Sequence, residues 1–474
     1  MIKYQYFYNI LISIINLIIS LIIVKTLSIE SFGKYNFFLS IIIILTFISH
    51  LGFSGLLQKY IPQLQKKDKL NLCNQLLQIK VSFSFIIIII LFTTNLYFHF
   101  IKFEYLYYLS IIVFFKSINN LIIHSYFIIN LEYSYTYNSL LLTSLLKLFS
   151  ILYCYKYKCL TLSNIIYVLL CYEFLLFLLS TFKFKIKLFS RHLSQKKIIS
   201  QASYFLQSSF YELLLLPSIS ILYLRSLHTG IDVAKYAFII SMSNLIVTNI
   251  SIMTRLEVVI NNILIKHKKF DDYYYFILNI WNKVFITTFI PIVMIVAFLS
   301  KKAEVLFFHG KYSDIIYLLS PTIFCLFIGH FSYLYASRIY IKNDLKVFVT
   351  NSFTSGSIHL ISLCILGYFY SFKGAIIAHV IANNIKNFNL IRVYGIIINL
   401  KVNFVVFLKV LLISYGVLYY ATSVVAINNI SNLLTISIAS FFSILLVTFF
   451  SNVFSKREKE ALFRLLNKDS GFKI

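Results

Sequence analysis

Residues 80–102 read KVSFSFIIIIILFTTNLYFHFIK, a run of twenty-one residues without a formal charge held between Lys80 and Lys102. An α-helix rises 1.5 Å per residue and a bilayer's hydrocarbon core is ~30 Å thick, so about 20 such residues cross it. A segment apolar on every side has no face to offer water and belongs in lipid or in a buried core. The same pattern recurs along all 474 residues. Spans are predicted at 7–24, 35–57, 81–100, 105–129, 138–155, 160–182, 198–222, 233–254, 281–299, 315–335, 347–370, 374–398, 404–420 and 433–450. The longest outer gap, 300–314, is too short for a soluble domain. The expected class is an all-α polytopic membrane protein with about fourteen transmembrane helices.

The basic residues occupy alternate gaps. With the N-terminus inside, the inner segments hold about 30 Lys and Arg, among them Lys59, Lys66, Lys67, Lys69 and Lys80, and the outer segments about 11. Lys and Arg concentrate on the cytoplasmic side of membrane proteins. The bias predicts a multi-pass membrane protein with both termini on the cytoplasmic side. It also absorbs most of the net charge of +27. Contact with anionic headgroups in the lipid bilayer follows, and nucleic acid is not an expected partner. The first span follows one lysine and lacks a small-residue cleavage site, so it reads as a retained helix.

Several classes of chemistry are excluded. The six cysteines show no CxxC spacing, so neither a zinc site nor a disulfide framework is expected, and Cys73 falls in a cytoplasmic loop. There is no GxxxxGK[ST] phosphate loop. No metal and no cofactor is expected. An enzyme would show clustered catalytic carboxylates or a sizeable outer domain, and neither is present.

An internal repeat divides the chain. The stretch 28–37, SIESFGKYNF, matches 228–238, HTGIDVAKYAF, at an offset of about 201 residues: Lys34-Tyr35 aligns with Lys235-Tyr236, Phe37 with Phe238 and Ser40 with Ser241. Both are outer hairpins before an even-numbered span. The repeat unit is therefore six helices, in parallel orientation. The expected organisation is an N-terminal lobe (1–190), a C-terminal lobe (191–400) and a helical pair with a basic tail (401–474). Two such lobes enclose a central cleft.

Charges at membrane depth usually face a cavity or a partner. Span four carries Lys116, Asn120 and His124 on one helical face, and span five carries Lys147 with Thr143 and Ser150. Span eight carries Asn244, Thr248, Ser251 and Arg255, and span one carries Asn9, Ser13, Asn16 and Ser20. Span twelve has His379, Asn383 and Lys386, span seven Glu212 and span six Glu173. Serine and asparagine stripes also glue helices together, His124 and His379 also read as packing histidines, and Arg255 and Lys386 sit where they can snorkel. Lys116 and Lys147 lie well inside their spans. With Arg255, Lys386, Asn120, His124 and Asn244 they define a candidate cationic cleft for an anionic substrate, with a pyrophosphate the foremost candidate. Glu212 and Glu173 are candidates for an ion-coupling site, or for partners of the lysines.

The stretch from Leu27 to Tyr35, followed by His50-Leu51-Gly52-Phe53 and Tyr60-Ile61-Pro62, resembles the N-terminal pattern of bacterial oligosaccharide flippases. These belong to the multidrug, oligosaccharidyl-lipid and polysaccharide exporter superfamily. Ala234-Lys235-Tyr236-Ala237 and Gly374 to Ala378 resemble second-lobe equivalents. The resemblance covers spans one to twelve, and the chain departs from it in lacking arginine within the early spans. It implies transport of undecaprenyl-pyrophosphate-linked repeat units for O-antigen or capsule by alternating access. The partners it implies are a lipid-linked anionic oligosaccharide, a polysaccharide polymerase and a chain-length regulator. The competing readings are a multidrug or peptidoglycan-precursor exporter of the same fold, and a membrane glycan polymerase or ligase.

Overall fold

The structure, a computed structural model, describes residues 2–50, 52–53, 56–57, 66–98, 103–127, 133–184, 206–250, 270–330, 345–393, 400–451 and 453–460. Among the described residues each predicted span overlaps a helix. These are α1 (Ile2–Thr26), α2 (Ile29–His50), α3 (Lys66–Phe98), α4 (Phe103–Leu121, continued by a π-turn over Ile122–Phe127), α5 (Tyr133–Lys156) and α6 (Leu162–Phe184). There follow α7 (two arms, Leu206–Leu213 and Pro217–Leu227), α8 (Gly230–Ile250), α9 (Phe270–Phe308) and α10 (Leu319–His330, after a 3-10 turn). The last four are α11 (Leu345–Ser362), α12 (Tyr368–Val393), α13 (Leu400–Val424) and α14 (Ile430–Phe450). Among the described residues, nine stretches are long and apolar enough to cross a membrane, with α11 and α12 joined as one stretch. The bent α7 makes a tenth.

Local chemistry sets several boundaries. Pro217 opens the second arm of α7, where its missing N–H is no loss, and the two arms meet at 43°. The break frees the Leu214 carbonyl, which accepts a hydrogen bond from the buried His359 ring of α11. Asn429 caps α14 by accepting from the Asn432 N–H at 2.8 Å. Helix α14 then buries Leu433, Ile436, Ser440, Ile444 and Thr448 and turns Ile438, Phe442, Leu446 and Phe450 outward, an apolar exterior suited to lipid.

Helix α3 departs from expectation. It starts at Lys66, about four turns before the predicted edge of span three. Two readings are corrected by this extension. Cys73 lies in the helix and is fully buried, not in a loop, and Lys80, counted as an inward-facing surface charge, is 0% exposed.

Packing divides the chain into two compact units. The first comprises 1–245 and 336–390, and the second 246–335 and 391–474. In the first, α1 packs on α5, α4 on α6, α5 on α6, α3 on α4, and α2 on both α4 and the second arm of α7. Its apolar core gathers Leu72, Cys73, Leu76 and Leu77 of α3 with Leu56, Leu57, Leu121 and Ile122. In the second, α9 packs on α10, α13 and α14, with Phe289 and Phe327 stacked at 3.6 Å between centroids. This grouping follows packing, whereas the expected six-six-two organisation rests on the sequence repeat alone.

Candidate functional site

The two repeat hairpins have matching chemistry. Ser28 Oγ accepts from the Ser31 N–H at 3.2 Å and starts α2. Thr229 Oγ1 accepts from the Asp232 N–H at 3.3 Å, and Asp232 returns a carboxylate to the Thr229 N–H and hydroxyl. Each is an N-cap at the same place in its repeat. The hairpins also touch. A methyl group on Gly33 would lie 2.2 Å from the Gly230 carbonyl oxygen, so only glycine lets the start of α2 cross the start of α8 this closely.

Next to that crossing lies a cavity of about 280 Å³ among α1, α2, α5 and α8. Asn16 and Ser20 of α1, Tyr35 and Asn36 of α2, Lys147 of α5 and Ser241 of α8 supply its polar lining. Ile19, Ile23, Val24, Phe32, Leu39 and Met242 supply the apolar part. Among the described residues that line it, Lys147 carries the only charge. Its ammonium sits 5.2 Å from the centroid of the Tyr172 ring of α6, a cation–π contact that steadies it without neutralising it.

Glu173, the next residue, is otherwise engaged. Its Oε2 accepts from Asn119 Nδ2 at 3.0 Å, and its Oε1 is 4.0 Å from Lys116 Nζ. Lys116, Lys147 and Glu173 thus form one cluster on α4, α5 and α6 with a single net positive charge. Lys116 is set against an acid, and Lys147 presents its charge to the cavity.

The remaining candidates fall elsewhere. Asn120 follows Asn119 on α4 and is half-buried. Asn244 is half-buried one turn beyond Ser241 and is not among the lining residues. Lys386 donates to Glu212 Oε1 at 2.7 Å in a separate ion pair linking α12 to the first arm of α7. Both candidate coupling carboxylates therefore sit against lysines. His379 is buried with its ring 5.7 Å from that of His359 and its Nε2 3.2 Å from Asn383 Nδ2. The side chains of Asn9, His124 and Thr248, and all of Ser251 and Arg255, lie outside the described residues. Among the described residues no three His, Cys, Asp or Glu side chains gather as a metal site.

Sequence reasoning missed Tyr35 and Asn36 as lining residues, and flagged Ser241 only as a repeat match. It also missed the fully buried Lys80, whose Nζ lies 2.8 Å from His50 Nδ1.

No family model matches the chain, and no curated protein sequence matches it. Solved structures do. A lipid II flippase, MurJ, in an inward closed conformation is similar over 98% of this chain and 99% of its own, with TM-score 0.63 and 14% identity. A transporter of the MOP superfamily from Pyrococcus furiosus, described as having a binding pocket of reverse polarity that suggests a different function, is similar over 83% of this chain and 95% of its own, with TM-score 0.61 and 15% identity. The Vibrio cholerae MATE transporter VcmN, in a mutant form, is similar over 83% of this chain and 94% of its own, with TM-score 0.56 and 15% identity. The chain has the all-helical fold of these membrane transporters.

Proposed function

We propose that this chain is a flippase that carries an undecaprenyl-pyrophosphate-linked oligosaccharide across the bacterial cytoplasmic membrane by alternating access, for surface polysaccharide synthesis. The observation that carries the reading is the Lys147 cavity. It is lined by one cation, neutral hydroxyl, phenol and amide groups and no acid, and it lies beside a closed crossing of the two repeat hairpins. Lysine suits a phosphate as a point charge. A cation exporter calls for an acid in that place. At about 280 Å³ the cavity lies at the low end of ligand-pocket volumes, large enough for the charged linkage. The sugars would then occupy the opened cleft, and the polyprenyl tail would stay in lipid.

The fold likeness supports transport over glycan polymerisation. The likeness to the lipid II flippase also runs through the last two helices. The share that the other two structures leave unmatched is close to the length of 401–474. The same observation favours a second reading equally, export of a lipid-linked peptidoglycan precursor. A polymerase and a chain-length regulator are the partners the first reading implies.

A deletion strain tests both. On the first reading, lipid-linked repeat units accumulate facing the cytoplasm and surface glycan falls about tenfold or more. The wild-type chain restores it, while Lys147→Ala, inserted to the same level, does not. Accumulated peptidoglycan precursor with cell lysis moves the assignment to the second reading. Accumulation of neither removes both.

A further inference from the structure

Helix α5 ends in a turn that brings two cysteines together. The Cys159 N–H donates to the Cys154 carbonyl at 2.9 Å and the Lys158 N–H to the Tyr155 carbonyl at 3.2 Å, while Lys158 adopts a φ of 55°. These two nested hydrogen bonds around a left-handed residue are the Schellman close of a helix. The side chains that flank such a turn meet, and here they are Cys154 and Cys159. The Cys159 thiol also donates to the Cys154 carbonyl at 3.6 Å, and the two thiols interact with each other.

A disulfide cannot close across Cα atoms more than about 7 Å apart. Ordinary backbone dimensions and the 2.9 Å hydrogen bond keep these two Cα atoms inside that limit. Cys159 is fixed from its other side as well. Its carbonyl accepts from the Thr161 N–H at 2.9 Å and from Asn164 Nδ2 of α6 at 2.6 Å. Both cysteines are partly exposed free thiols, within reach of a reagent, whereas Cys73 is sealed in the core. The charge pattern puts this turn, with Lys156 and Lys158, on the outer side of the membrane. Disulfides persist in oxidising compartments of that kind and are rare in the cytoplasm. A spacing of five residues falls outside the CxxC pattern, so the sequence announced no bridge here.

We propose that Cys154 and Cys159 are a disulfide-forming pair, oxidised once the turn reaches the outer compartment, whose bridge clamps the end of α5 to the start of α6. One thiolate attacks a disulfide of an extracytoplasmic protein oxidant and expels one of its sulfurs as a thiolate. The other thiolate attacks the mixed disulfide and expels the second. The pair gives up two protons and two electrons, and the oxidant leaves as a dithiol. Helix α5 carries Lys147 two turns before Cys154, and α6 carries Tyr172, whose ring steadies it. The clamp therefore joins the two helices that hold the cavity's cation. It rests on the outward orientation of the turn and not on the flippase reading.

Trypsin cuts after Lys156 and Lys158, so Cys154 and Cys159 fall in separate peptides that only a bridge keeps joined. Cells are quenched with iodoacetamide, and the full chain is extracted from their membranes and digested without reductant. Peptides 148–156 and 159–183 are expected linked in the wild type, and the linked species is expected to fall about tenfold when the membranes are first treated with dithiothreitol. Cys171 shares the second peptide, so Cys171→Ser should keep the link and Cys159→Ser lose it. Cys154→Ser serves if Cys159→Ser does not insert. Amide hydrogen exchange over 153–165 is expected to quicken about threefold or more on reduction, with α4 unchanged. Alkyl label on both cysteines in protein taken straight from cells overturns the pair. A bridge whose reduction leaves exchange unaltered overturns the clamp. Either result leaves the flippase reading standing.

Discussion

Glu458 closes an ion pair with Lys283, more than three turns into α9. Both of its carboxylate oxygens lie 2.8 Å from the Lys283 ammonium, and Oε2 also accepts from the Ser455 N–H at 2.7 Å. Burial opposes its charge, but these hydrogen bonds outweigh burial and hold the carboxyl below its ordinary value of 4.5. A carboxylate shifted this way contributes stability that is complete above 4.5 and fades as pH falls through the lower folded value. The melting temperature of the wild type should exceed that of Glu458→Gln at neutral pH, and the gap should close on acidification. At the cavity, Lys147→Ala should lose more transport than Lys116→Ala, because Lys116 already answers Glu173. Lys147 was legible in the sequence as a cation deep in an apolar run. Lys80 was not, because it sits at the edge of one, where a lysine ordinarily snorkels, and nothing in its neighbours announces that α3 begins at Lys66.

Three helix ends carry measurable consequences. Ser28→Ala and Thr229→Ala each remove an N-cap and should cost about 0.5–2 kcal/mol, read as a lower melting temperature in detergent. His359→Ala leaves the Leu214 carbonyl in the α7 break without its donor, at about 1–3 kcal/mol by the same readout. Gly33→Val drives a side chain into the Gly230 carbonyl, and it should lengthen the distance between spin labels set on the two hairpins or fail to fold. The caps occupy equivalent places in the repeat, although the sequence reading did not single them out. The crossing was not legible, because it joins non-equivalent positions: alignment pairs Gly33 with Ala234, while space pairs it with Gly230.

At the scale of the molecule, hydrophobic periodicity sufficed for the all-helical class, since lipid permits few other solutions to runs of this length. Packing partners were not readable the same way: α9 keeps company with α13 and α14 in one compact unit, and apolar surfaces facing lipid resemble those facing protein. Orientation is an expectation of the charge pattern. A fluorescent protein fused after Lys459 should fluoresce and a periplasmic phosphatase there should be silent, with the reverse at Lys311, between α9 and α10. The pairing of Lys116 with Glu173 has a further effect on a cycle of the proposed kind. A doubly anionic pyrophosphate resting on one unopposed lysine leaves the loaded site with surplus negative charge. Its outward passage is then electrogenic. An inside-negative voltage would drive that step by about 2.3 kcal/mol per elementary charge for each 100 mV, so the cell's electrical polarisation, apart from any chemical gradient, would favour export over return.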